Sequence, residues 1–219
     1  MGTKVKITKQ ELKEDKFTTA MLKTRNWLED NWQIFGVIIA AIIIIVVGAF
    51  YYVGHQSDME QEALQKYSQA LNQLQTQNYQ PAILSFNDII DNYSGDVVGR
   101  AQFNLGNAYF ESRDYEEAIA AFQKYIDKYH LDPLTTSSAI AGIASSLESQ
   151  QKFAEAAAKY LEAIDNYPET PAKADYLLGA IRCYSQLGEK DKIKPELDIL
   201  EKEYAGSDQY FTAYQLYMQ

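Results

Sequence analysis

Hydrophobic and polar positions fall into three regimes along the chain. Between residues 17 and 32, Phe17, Met21, Thr24, Leu28 and Trp32 recur on one helical face, which predicts a short amphipathic helix. Thr8 and Glu11 ahead of it have capping-box spacing. Residues 34–53, IFGVIIAAIIIIVVGAFYYV, are apolar almost throughout, and no formal charge occurs from 31 to 57. Beyond residue 60 the helical period returns, now cut into segments by short polar turns.

The apolar run has the length a helix needs to cross a bilayer. A soluble core helix would be shorter and carry a polar stripe. A cleaved signal peptide would end on small residues, whereas bulky Phe50, Tyr51 and Tyr52 follow Ala49 here. The run is therefore expected to be an uncleaved anchor, with Trp32 at one interface and Tyr51 and Tyr52 at the other. Gly36, Ala40 and Gly48 share a face that would admit a neighbouring helix. Lys13, Lys16, Lys23 and Arg25 precede the run closely and only Lys66 follows it closely, so the positive-inside rule places the N-terminus in the cytoplasm and the larger part outside. Lys13, Lys16 and Lys23 are also placed to meet anionic headgroups.

The third regime repeats. NYQPAILSFNDIIDNYS carries Tyr93, DYEEAIAAFQKYIDKYH carries Tyr129, KFAEAAAKYLEAIDNYP carries Tyr167 and a weaker EKDKIKPELDILEKEYA carries Tyr204, at intervals of 36, 38 and 37 residues. A small or aliphatic residue returns at one offset (Ala82, Ala118, Ala156, Ile193) and a bulky one four positions later (Phe86, Phe122, Tyr160, Leu197). Each unit reads as two helices with a tight turn, such as Ser112-Arg113-Asp114, between them. One unit alone leaves an apolar face bare, so the units must stack. The predicted organisation is all-α: a leader over 1–33, a transmembrane helix over 34–53, a linker over 54–59, and a repeat domain over 60–219. Its hairpins are expected near 63–96, 99–132, 138–170 and 173–206, with a capping helix over 208–219. Pro195 should kink the last hairpin's second helix or delay its start.

NLGNAYFESRDYEEAIAAFQKYI, residues 104–126, resembles the tetratricopeptide repeat: Leu105, Gly106, Ala108 and Tyr109 in a first helix, then Tyr115, Ala118 and Phe122 in a second. Ala70 stands in place of the glycine in the first unit, and Lys190 in place of the turn aromatic in the fourth. The resemblance implies an α-solenoid that binds proteins. Units ending in Tyr and a turn residue are similar to those of periplasmic repeat proteins of bacterial envelope assembly. The whole plan resembles the ancillary subunit of the bacterial Sec translocon. That resemblance implies a single-pass protein of the bacterial inner membrane with a periplasmic repeat domain, acting as an adaptor or chaperone-like accessory. The partners it implies are translocon or envelope-assembly components, or unfolded clients. A structural scaffold subunit is the alternative.

Charge and chemistry narrow the classes. Seven basic against five acidic residues before the span give the leader +2, which leaves −12 of the formal −10 to the rest. Nucleic acid is excluded as a partner, because phosphate binding needs a basic face. The two histidines, His55 and His130, and the single Cys183 have no partner of matching type nearby in sequence. No phosphate loop or nucleophile-elbow motif occurs, so neither catalysis, a cofactor nor a metal is expected. Asp114, Glu116 and Glu117 suit a helix start. What remains is a groove lined by first helices, at Tyr67, Leu71, Arg100, Phe103, Asn107, Phe110, Ser145, Asp175 and Arg182. In repeats that grip a C-terminal carboxylate, basic and Asn residues come from successive units. Asn107 matches one such place, but Tyr67, Ser138 and Gly142 occupy the others, so that clamp is not expected.

Overall fold

A computed structural model describes residues 9–219, the side chains of 9–15, 28, 35 and 52–57 excepted. The capping box at Thr8 and the side chain of His55 lie outside the described residues. Every regular element among them is helical, and the chain divides into two units, one ending at Ser57 and the next starting at Asp58.

In the first unit, α1 (Lys9–Asp30) is followed at Trp32 by the start of α2 (Trp32–Gln75). The Ile34 N–H donates to Asn31 O at 2.9 Å, three residues back, so the helix tightens where the two meet. Trp32 thus opens α2 and does not close the helix that carries Phe17 and Met21. The segment Trp32–Tyr51 has a mean hydropathy of 2.9 and none of it is buried, which makes it long and apolar enough to cross a membrane. A soluble core helix of this composition would bury its isoleucines, but Ile44 is 71% exposed. Residues 54–59, expected as a linker, lie within α2. They contain no proline, and their one glycine costs a helix only about 1 kcal/mol.

In the second unit, the last part of α2 is followed by α3 (Tyr79–Asn92), α4 (Asp96–Glu111), α5 (Tyr115–Lys128), α6 (Pro133–Ser149), α7 (Phe153–Asn166), α8 (Lys173–Leu187), α9 (Lys190–Glu203) and α10 (Asp208–Met218). From α3 onward each helix packs on its neighbours in sequence, α4 also touches α6, and α6 touches α8, while Ala63, Ala70 and Tyr67 of α2 pack with Ala82 and Phe86 of α3. This is a stack of helical hairpins. Two helices start earlier than the expected hairpins, α4 at Asp96 and not 99, α6 at Pro133 and not 138. For α6 the cause is local. The Asp132 carboxylate accepts from Thr135 N–H at 2.8 Å, and Pro133 fills the first helical position, which has no N–H to satisfy. Pro195 does not delay α9, which starts at Lys190, five residues ahead of it.

The turn within each hairpin is the same in backbone terms. Gln77, Arg113, Gln151 and Gly188 all have positive φ, between 61° and 72°. The following residue's N–H reaches back five positions, as from Asn78 to Gln73 O at 2.8 Å and from Asp114 to Tyr109 O at 2.9 Å. That Schellman pattern satisfies the carbonyls left open at a helix end. Tyr93, Tyr129, Tyr167 and Tyr204 close the second helices, each N–H bonding the carbonyl four residues back.

Small residues set the helix spacing. Ala82, Ala118 and Ala156 are fully buried, as are Phe86 and Phe122 to within 1%. A Cβ on Gly106 would meet the Phe122 ring at 2.6 Å, and one on Gly142 would meet the other edge of the same ring at 2.6 Å. Phe122 of α5 is thus held between α4 and α6. Tyr160 of α7 stands 2.7 Å from where a Cβ of Gly179 in α8 would lie.

Candidate partner-binding face

The expected groove residues lie on the first helices, α2 beyond residue 58, α4, α6 and α8, and six of them line two hollows. The first, of about 500 Å3, is lined by Tyr67, Arg100 and Phe103 together with Asp96, Asn104, Leu131, Asp132 and Thr135. Its floor is fixed from below. The Phe103 ring sits 5.7 Å from that of Phe122 and edge-on to Tyr125 at 5.6 Å, and the Tyr67 ring lies 6.1 Å from Phe86. Asn104 Nδ2 donates to the Tyr67 hydroxyl at 2.8 Å, bridging α4 to α2, and Asn107 Nδ2 donates to Asn104 Oδ1 at 3.2 Å. Arg100 is exposed and forms no ion pair among the described residues. The Asp132 carboxyl, which caps α6, is held below the usual carboxylate range chiefly by the Thr135 N–H. Leu71 packs with Tyr67 against the core of the first hairpins and not into this hollow.

The second hollow, about 470 Å3, brings together Phe110, Ser145 and Arg182 with Glu148, Ser149, Phe153, Tyr160 and Gln186. Here the charge is already spent. Arg182 forms a two-pronged pair with Glu148, Nε to Oε1 at 2.6 Å and Nη2 to Oε2 at 2.7 Å. Tyr160 donates its hydroxyl proton to Glu148 Oε2 at 2.9 Å, so Ser145, whose Oγ is 2.8 Å away, donates to Tyr160. Burial pushes the Tyr160 phenol up, and the Glu148 carboxylate raises the Arg182 guanidinium further. This chain ties α6, α7 and α8 together.

Asp175 is not free either. Its Oδ1 accepts from Gln209 Nε2 of α10 at 2.8 Å, so the C-terminal helix occupies that end of the face. The groove expected as one row is therefore an open hollow around Arg100, a structurally committed one around Arg182, and an end taken by α10. Asn104 was the main residue missed, and its signal was present: it lies one turn beyond Arg100 on the same face. Glu148 gave no such signal, since only the fold brings it to Arg182, 34 residues away.

The titratable groups here have packing explanations. Burial, with the Glu148 charge added, pushes the Cys183 thiol up to about 12, where it is neutral and unreactive at physiological pH. Among the described residues no three His, Cys, Asp or Glu side chains gather as a metal ion requires.

Compared with known proteins, the sequence matches the tetratricopeptide repeat-like domain family over residues 25–176. No curated protein matches it. Among solved structures, the fold is similar to the tetratricopeptide-like repeats of a putative kinesin light chain from Podosopora anserina. The TM-score is 0.55 at 12% identity, over 71% of this chain and 83% of that one. A variant of the same protein gives 0.56 at the same identity and coverage. At that identity the likeness shows the fold alone.

Proposed function

This chain belongs to the tetratricopeptide repeat-like domain family, and from that membership we propose that it is a membrane-anchored adaptor whose repeat face receives an extracytoplasmic protein partner. The repeats make it a protein-protein interaction module. The observation that carries the further reading is the hollow around Arg100: an arginine with no ion pair among the described residues stands beside Tyr67, Phe103 and Leu131, on a floor already packed onto the core. Aromatic anchors with arginine are what protein interfaces enrich, and a preformed floor reduces the ordering cost of binding.

The apolar segment Trp32–Tyr51 supports an anchor, and the basic residues ahead of it support a cytoplasmic N-terminus with the repeats outside, periplasmic in a bacterium. A partner in protein translocation or envelope assembly suits that placement. The alternative, a structural subunit of an envelope complex, is favoured by the outer side of α10, where Phe211 and Met218 are 54% and 63% exposed. Affinity purification in mild detergent tests the adaptor. Arg100→Glu should lose the partner with little change in thermal stability, because Arg100 makes no ion pair among the described residues and acts on Asp132 only at longer range. Full retention of the partner would overturn the assignment of this hollow. Arg182 does not belong in that test: reversing it would set a second carboxylate on Glu148 and destabilise the stack by about 1 kcal/mol through loss of a two-pronged pair.

A further inference from the structure

Residues 16–30 of α1 are distributed around the helix axis in a way that the repeat domain does not use. At about 100° per residue, Trp27, Thr24, Phe17 and Met21 fall within one arc of roughly 120°. Lys16 and Lys23, seven residues apart, follow one edge of that arc, and Arg25 stands at the other. Phe17 and Met21 are 71% and 66% exposed. Of the acidic residues in this stretch, Glu29 is paired by Arg25 at 2.8 Å, and Asp30 lies outside the arc, about 20° beyond Lys23. Towards the C-terminal end the arc continues into Trp32, the first residue of the apolar segment, and Met21, Thr24, Arg25, Glu29 and Trp32 surround an apolar hollow of about 470 Å3.

We propose that α1 lies along an anionic bilayer surface, its Phe17–Met21 arc in the boundary between headgroups and acyl chains and Lys16 and Lys23 on lipid phosphates. The proposal rests on the reading of 34–53 as a membrane span. Given that span, the headgroup layer is the surface that covalent continuity places within reach of α1, and its charge complements the lysine edge. An apolar arc edged by cations is the pattern of an interfacial helix. Lysine stems extend along the apolar side while their ammonium groups reach outward, and each cation held near an anionic leaflet adds attraction. The tightened step at Asn31, where the two helices meet, is the place for the change of direction.

The chain has two tryptophans, Trp27 and Trp32, so a single fluorescent reporter can be moved along this segment. The full chain carrying Phe17→Trp with Trp27→Phe and Trp32→Phe is reconstituted into vesicles containing brominated acyl chains. The vesicles are either phosphatidylcholine alone or phosphatidylcholine mixed with phosphatidylglycerol. If α1 continued straight out of the membrane, position 17 would stand about 22 Å from position 32 at a rise of 1.5 Å per residue, beyond the reach of the quencher. A surface helix brings it into contact. Quenching of about twofold in the anionic vesicles is expected, weaker in the neutral ones, and removed by Lys16→Glu with Lys23→Glu. No quenching in anionic vesicles would overturn the proposal, as would equal quenching in both vesicle types that survives the charge reversal. A companion protein that keeps Trp32 alone separates the two readings: an unquenched Trp32 sinks the span itself, whereas a quenched Trp32 beside an unquenched position 17 sinks only the surface helix.

Discussion

Phe122 shows at the scale of one residue how the stack is held at its spacing. Its ring is clasped between Gly106 and Gly142, and neither position has room for even a methyl group without displacing the ring. Gly106→Leu should therefore lower the thermal midpoint, at a cost of about 1 to 3 kcal/mol or more, as overpacked cores do. An unchanged midpoint would mean that α4 and α5 are not packed as described. Glu196 makes a second case. Burial, reinforced by the charge of Asp165, raises its carboxyl above the ordinary value. A raised carboxyl binds its proton more tightly in the folded state, so its charged form works against folding at neutral pH, and that penalty fades as pH falls through the raised value. Glu196→Gln should raise the thermal midpoint at pH 7, with the gain shrinking towards pH 4. A gain that persisted undiminished at pH 4 would contradict the cause given. The sequence announced Gly106 and Phe122, because a small residue and a bulky one return at these two places in every unit, Ala70 replacing the glycine in the first and Leu197 the aromatic in the fourth. It did not announce the left-handed turn residues Gln77, Arg113 and Gln151. Left-handed backbone is normally marked by Gly or Asn, and here only Gly188 carries the mark. The other three are held there by the Schellman bonds of the helices they end.

Among the elements, α10 bears most on the site. It packs on α8 and α9, buries Ala213 fully, starts from a Ser207 cap whose Oγ accepts from Tyr210 N–H, and ties Gln209 to Asp175. These contacts make it a cover for the last hairpin. Deletion of residues 208–219 should lower thermal stability and promote aggregation by uncovering the apolar side of α8 and α9. Unchanged stability with loss of a copurifying partner would instead make α10 a docking helix. A helix after Gly206 was readable from its cap and its aromatics. That it would take Asp175 out of the groove was not, because Asp175 and Gln209 are 34 residues apart and neither has a distinctive pattern around it. The early start of α6 at Pro133 was readable in principle, since Asp followed by Pro is a helix-start signal.

For the whole molecule, the repeat fold followed from one physical constraint, that a lone hairpin leaves an apolar face in water and must stack. The groove followed less well. A face can be read from periodicity, but whether a charge on it is free depends on contacts across repeats, which is why Arg100 stays available and Arg182 does not. The account predicts that the partner reaches the side lined by first helices. The direct measurement is photocrosslinking in cells from an unnatural residue at Asn107, on α4 within that face, compared with one at Leu84 on α3, which is 70% exposed on a second helix. Adducts from Asn107 that Leu84 does not give, and that Arg100→Glu diminishes, are the expected result. Adducts from Leu84 with none from Asn107 would contradict the account and move the binding surface to the second helices.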